Sequence, residues 1–238
     1  MSPNTYLWIE DRVGKAGYTF WKTLMQQILP NVVVESKKNN SELVKAVKSL
    51  KDQDSKYIIV FDNAFDNPQV YQEQRRLKKY AETKKNVSLI NIICFEYVLL
   101  EFAQLIDWIY APEDEFLIKR VKAIQARKKL IEAIQTENLN YKTIQEIVTY
   151  DSRFNEYNIE KLSAKLLYDL TRNTGFEVSK GTIGECWIKS CCEWLKRQEN
   201  DICGLDSRRL SIAEKMRKIY SGTSLKEKFH EMGLEAAQ

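Results

Sequence analysis

Histidine is nearly absent from this chain. The 238 residues contain one, His230, close to the last residue. Catalysis by a histidine base is therefore not expected, and chemistry centred on carboxylates and metal fits the composition better. Proline and glycine are also scarce, at four and eight residues, so no segment reads as a flexible linker or a low-complexity tract. No apolar run is long enough to span a bilayer, because Glu96, Glu101 and Asp107 interrupt the longest candidates. Met1-Ser2-Pro3-Asn4-Thr5 lacks the basic and apolar regions of a signal peptide. A cytoplasmic location and no membrane partner are the expectation. The five cysteines should then be reduced, which leaves them packing, metal-binding or redox roles. Charge of one sign is not in large excess either. A formal charge of +4 permits a local nucleic-acid patch without predicting one.

What is present is ordinary globular material, 44% hydrophobic and 29% charged, enough for one large domain or a smaller one with an appendage. Tyr57-Ile58-Ile59-Val60-Phe61 is an unbroken apolar run that stops at Asp62, with Asp66 following. Such a run reads as a strand buried on both faces of a parallel sheet. Tyr6-Leu7-Trp8-Ile9 ends in Glu10-Asp11 in the same way, Val32–Val34 is a shorter strand, and 87–94 a fourth that leads into Phe95-Glu96. Helices are predicted at about 18–29, from Ser41 as N-cap to about 50, and from Pro68 to about 84. Strand–helix alternation with right-handed crossovers places all four strand ends on one edge. That edge is where open parallel sheets bind ligands.

Beyond about Pro112 the apolar spacing becomes helical, with helices expected near 141–150, 158–172, 181–199, 206–220 and 224–233 and no strand. The reading is an α/β domain over 1–112, with a parallel four-stranded sheet flanked by helices, followed by an all-helical C-terminal region over 113–238.

Glu10, Asp11, Asp62, Asp66 and Glu96 would gather at the sheet edge. Crowded carboxylates repel, and a divalent cation such as Mg²⁺ or Mn²⁺ is the usual compensation. A metal held there activates water and steadies a phosphoryl transition state. The competing reading is solvated loop acids and helix caps, with Asp62 or Asp66 capping the helix at Pro68. Lys119, Arg120, Lys122, Arg127, Lys128 and Lys129 form a basic run that would track a phosphate backbone or form a wet helix face. Arg208, Arg209, Lys215, Arg217 and Lys218 form a second. Cys186, Cys191, Cys192 and Cys203 offer four thiolates for a structural Zn²⁺, although their spacing is not that of paired C-x₂-C knuckles. Core packing with Trp187 and Trp194 is the other reading.

Leu7-Trp8-Ile9-Glu10 with Gly14 and Gly17, then Val60-Phe61-Asp62, then Cys94-Phe95-Glu96-Tyr97-Val98-Leu99-Leu100-Glu101-Phe102 together resemble the TOPRIM family. The third stretch is similar to a segment of the small RloB-like and OLD-type TOPRIM effectors of bacterial anti-phage systems, often encoded with an ATPase. The resemblance covers roughly residues 6–105. It implies a metal-dependent, toxin-like antiviral nuclease that cleaves phosphodiesters in DNA or RNA, tRNA included. Catalysis would fall to Glu10, Asp62 and Lys15. The metal would be held by Glu10, Asp62 and Asp66. Nucleic acid would be held by Arg12 and Lys15, with Arg120, Arg127 and Lys128 as candidates from the first basic run. A partner ATPase and a homodimer are further implications. The family's second aspartate is replaced here by Ala64, which leaves Asp66 as its substitute. That departure keeps open a non-catalytic subunit that binds a partner ATPase. A receiver-like phosphoacceptor domain also has this acidic pattern, but it needs a fifth strand followed by a lysine.

Overall fold

A computed structural model of the protein describes residues 4–63, 67–109, 115–151, 158–179, 181–192, 203–205 and 208–235. The chain begins with alternating strands and helices: β1 (Thr5–Ile9), α1 (Ala16–Ile28), β2 (Val32–Ser36), α2 (Asn40–Ser49), β3 (Lys56–Asp62), α3 (Pro68–Ala81) and β4 (Val87–Ile92). The four strands are all parallel, in the order β2-β1-β3-β4. Trp8 lies opposite Ile59, so Glu10, just after β1, and Asp62, the last residue of β3, leave the sheet side by side. The sheet has no fifth strand among the described residues.

The period of two along each strand divides the core into two layers. Leu7, Ile9, Ile58 and Val60 face α1 and one large cluster. Trp8, Tyr57, Ile59 and Phe61 face α2 and α3. Local signals set the helix starts. Asn67 accepts from the amides of Gln69 and Val70 and Pro68 opens α3, so Asn67, and not Asp62 or Asp66, is the cap. Asn39 caps α2 where Ser41 was expected; the Ser41 hydroxyl instead donates to Glu73.

The later elements are α4 (Phe95–Glu101), α5 (Leu105–Ile109), α6 (Glu115–Lys119), α7 (Val121–Gln135), α8 (Tyr141–Val148), α9 (Ile159–Thr171), β5 (Val178–Ser179), β6 (Thr182–Ile183), α10 (Glu185–Ile188), α11 (Ile212–Ser221) and α12 (Leu225–Glu231). They extend the layer that α1 begins: α9 packs on α4 and α11 on α1. One apolar core therefore runs from the sheet through both halves of the chain. Rings continue it, with Phe102, Trp108, Phe176 and Trp187 in successive contact at centroid distances of 4.6, 6.0 and 5.2 Å.

The second half is not wholly helical. Val178 pairs with Ile183 and Ser179 with Thr182 in a small antiparallel hairpin. The helix expected from 181 starts only at Glu185 and ends at Ile188. β-Branched residues on either side of Gly181, whose φ is +86°, favour a tight turn over a helix. The hairpin is anchored from behind, where Gly184 lies against the main chain of Gly175 and Glu177. A Cβ there would collide with the Gly175 carbonyl oxygen and sit 2.9 Å from the Glu177 nitrogen.

Gly184→Ala should destabilise the protein by about 1–3 kcal/mol, because neither neighbour is a side chain that can swing aside. The urea unfolding midpoint measures this, and an unchanged midpoint would show that the hairpin is not pinned there.

Candidate acidic centre at the strand ends

The parallel sheet delivers Glu10 and Asp11 from the end of β1 and Asp62 from the last position of β3. Glu96 joins them from the first turn of α4 and Glu160 from the first turn of α9. The carboxyl groups of Glu10 and Asp62 are hydrogen-bonded to each other. Two carboxylates cannot share a hydrogen bond unless one is protonated. Burial pushes Asp62 well above the usual range; the Glu10 charge, then the hydrogen bond to it, then Asp11 and Glu96 push it further. Burial raises Glu10 to about 7, opposed by its bond to Asp62 and reinforced by Asp11, Glu160 and Glu73. The pair therefore favours holding one proton between its two carboxyls.

The neighbours respond alike. Burial lifts Glu96 to about 7, with Glu160 and Asp11 adding to it, and lifts Asp11 to about 6 against its own backbone amide. The charges acting most strongly on Glu10 are all carboxylates. The Cys94 thiol is buried beside them. Burial and the Glu96 and Asp62 charges raise it well above its usual value, so it is not a thiolate nucleophile.

A cleft of about 830 Å³ opens on this centre. Asp11, Lys15 and Glu96 line it together with Tyr168 of α9 and Ser179 and Thr182 of the hairpin. Glu10 and Asp62 are not among its lining residues, whereas their neighbours Asp11 and Glu96 are. Gly17 makes room for the Asp11 carboxylate, which a Cβ at this position would strike. Lys15 precedes α1, whose start has no side-chain cap, and its ammonium reaches the turn of the hairpin at Gly181. Arg12 is exposed nearby in sequence.

The other expected site residues are dispersed. Asp66 lies outside the described residues. Arg120 is buried, its guanidinium donating to the carbonyls of Asp169 at 2.9 Å and Arg172 at 2.7 Å. Arg127 donates to the carbonyls of Leu100 at 2.6 Å and Phe102 at 2.8 Å. Both arginines stitch helix ends together, which corrects the expectation that they face a phosphate backbone; Lys128 alone of the three is exposed. Lys215, from the second basic run, is fully buried and donates to the carbonyls of Cys186 and Lys189.

The Cys186 thiol packs on Gly175 and is pushed up to about 11 by burial, countered by Lys215, with Cys203, Cys192 and Cys191 adding to the rise. The Cys203 thiol lies 3.6 Å from the Trp108 carbonyl, and Cys192 is exposed. Trp194 lies outside the described residues. Among the described residues no group of three or more histidine, cysteine, aspartate or glutamate side chains is arranged to hold a metal ion. No helix among them is long and apolar enough to cross a membrane.

Glu160, Tyr168 and the hairpin were missed by sequence reasoning. Nothing local marks Glu160 as more than a first-turn acid, since its nearness to Glu96 arises from the packing of α9 on α4.

Carboxyls titrating higher in the folded than in the unfolded state favour the folded state only while protonated. Their stabilisation is complete below the ordinary range near 4.5 and is lost as pH rises through about 7. The metal-free protein should therefore melt at a lower temperature at about pH 8 than at about pH 5. Asp62→Asn should narrow that gap by raising the midpoint at the higher pH. A wild-type midpoint that climbs with pH would contradict the shared proton.

No family model, curated protein or solved structure matches the chain.

Proposed function

We propose that the protein is a divalent-metal-dependent nuclease of the TOPRIM type that cleaves phosphodiesters in DNA or RNA. The observation that carries this reading is the Glu10–Asp62 pair, two carboxyls from different strands brought within hydrogen-bonding reach and both raised in proton affinity. Structural acids have little reason to accept that repulsion. The three motif stretches that resemble TOPRIM proteins contribute Glu10, Asp62 and Glu96 to this edge, an independent support. The resemblance also supports an effector role in anti-phage defence, restrained or recruited by a partner ATPase.

The donor set fits Mg²⁺ or Mn²⁺. Mg²⁺ retains several waters and takes one or two protein carboxylates together with substrate phosphate oxygens, so a pair suffices where no triad is arranged among the described residues. Glu10 and Asp62 would hold the ion, and Asp66 is the candidate third ligand. When bound, the ion supplies an activated water and charge neutralisation at the phosphoryl group. Lys15 and the uncapped start of α1 complement the phosphate charge across the cleft. Glu96, near 7, is poised to take or give a proton at neutral pH. Asp11 holds negative charge beside it and keeps its proton affinity high.

A second reading has one observation in its favour. Ala64 replaces the second aspartate of the TOPRIM pattern, and no three-ligand group is arranged among the described residues. The α/β layer would then be a scaffold for a partner protein.

The purified protein should cut DNA or RNA in Mg²⁺ or Mn²⁺. Glu10→Gln and Asp62→Asn should each lower the rate by at least about 100-fold, more than the loss usual for outer-shell residues. Equal cutting by wild type and both variants would reject the site, and absence of cutting with no bound Mn²⁺ would favour the scaffold.

A further inference from the structure

The cleft is lined by two unlike kinds of group. Asp11, Lys15 and Glu96 are charged. Tyr168 and Val178 are apolar, and Ser179 and Thr182 bring the hairpin hydroxyls. The charged groups suit a phosphate, but they give no use for the aromatic ring. Tyr168 is one of few large apolar side chains left open on the described surface, at 39% exposure, and it sits on the cleft and not on an outer face. No other aromatic ring among the described residues stacks on it.

We infer that the cleft takes an unpaired nucleotide, its base stacked on Tyr168 and its phosphate directed to Lys15 and the acidic centre, so that the substrate is single-stranded nucleic acid. This rests on the nuclease reading and specifies its substrate class. Bases inside a closed duplex are already stacked and present only their edges, so an aromatic wall beside the reacting phosphate would have no partner. An unpaired base offers a π-face of any sequence, and aromatic platforms beside a positive group are how single strands are held. The volume of about 830 Å³ lies in the range of sites that enclose a small ligand and exceeds what a bare phosphate needs. The hairpin packs beside the start of α1, with Gly181 against the Lys15 chain, so both halves of the chain supply groups to the cleft. The Ser179 and Thr182 hydroxyls, 2.6 Å apart at the hairpin, are in place to meet a base edge or a ribose hydroxyl.

The test measures binding apart from cutting, with the full chain carrying Glu10→Gln in Mg²⁺. A short single strand containing 2-aminopurine is compared with the same strand closed into a duplex. The single strand should bind at least about 10-fold tighter, with quenched fluorescence from stacking, and Tyr168→Ala should weaken it by about 10- to 100-fold while Tyr168→Phe retains it. Equal binding of strand and duplex, no binding of either, or an unaffected Tyr168→Ala variant of unchanged melting temperature would overturn the inference. The two levels separate cleanly. Tyr168-dependent strand binding without any cutting by wild type upholds the cleft and removes the nuclease. Cutting of strand and duplex alike, unaffected by Tyr168→Ala, upholds the nuclease and removes this substrate class.

Discussion

Like charge crowded into a poorly solvated corner is the constraint around which this structure is arranged. Glu10, Asp11, Asp62 and Glu96 all sit high in proton affinity; each is raised first by burial, and Glu10, Asp62 and Glu96 also by other carboxylates. Holding them there is costly, and the fold supplies the rigidity to do it. Two strands of one parallel sheet aim Glu10 and Asp62 at a single point. A glycine at position 17 admits Asp11, and the tightly packed start of α4 fixes Glu96. A shared proton relieves part of the repulsion, and a cation would relieve more. In the proposed reading, proton and metal would compete for the same oxygens.

The second half of the chain completes the site as well as the core. Helix α9 packs on α4, brings Glu160 towards Glu96 and sets Tyr168 on the cleft. The hairpin adds Ser179 and Thr182 to its lining. Arg120 and Arg127, which read as phosphate-binding residues in one dimension, satisfy helix-end carbonyls and lock these helices together. Their charge is consumed in assembly, so in the proposed nuclease reading a substrate backbone would be met by Lys15 and the start of α1.

The sheet was legible because fully buried strands leave continuous apolar runs, and the acidic residues that end them mark the edge directly. Glu10 and Asp62 could be paired on paper since parallel strands share a carboxyl edge. The hairpin was hidden by its brevity: two residues per strand carry no periodicity, and only Gly181 marks the turn. The inward arginines were equally hidden, because a guanidinium bound to carbonyls and one bound to phosphate have the same sequence signature. The cysteines were read as one neighbourhood, and Cys186 does feel the other three, yet their thiols are parted among different packing partners.

The central claim is that Glu10 and Asp62 form a cation site whose resting occupant is a proton. Calorimetric titration with Mn²⁺ at about pH 6.5, in buffers of different ionisation enthalpy, tests it most directly because it counts protons as well as ions. Binding of Mn²⁺ with proton release, lost in Asp62→Asn, is the result expected. Absence of binding, or binding without proton release that survives Asp62→Asn, would contradict it.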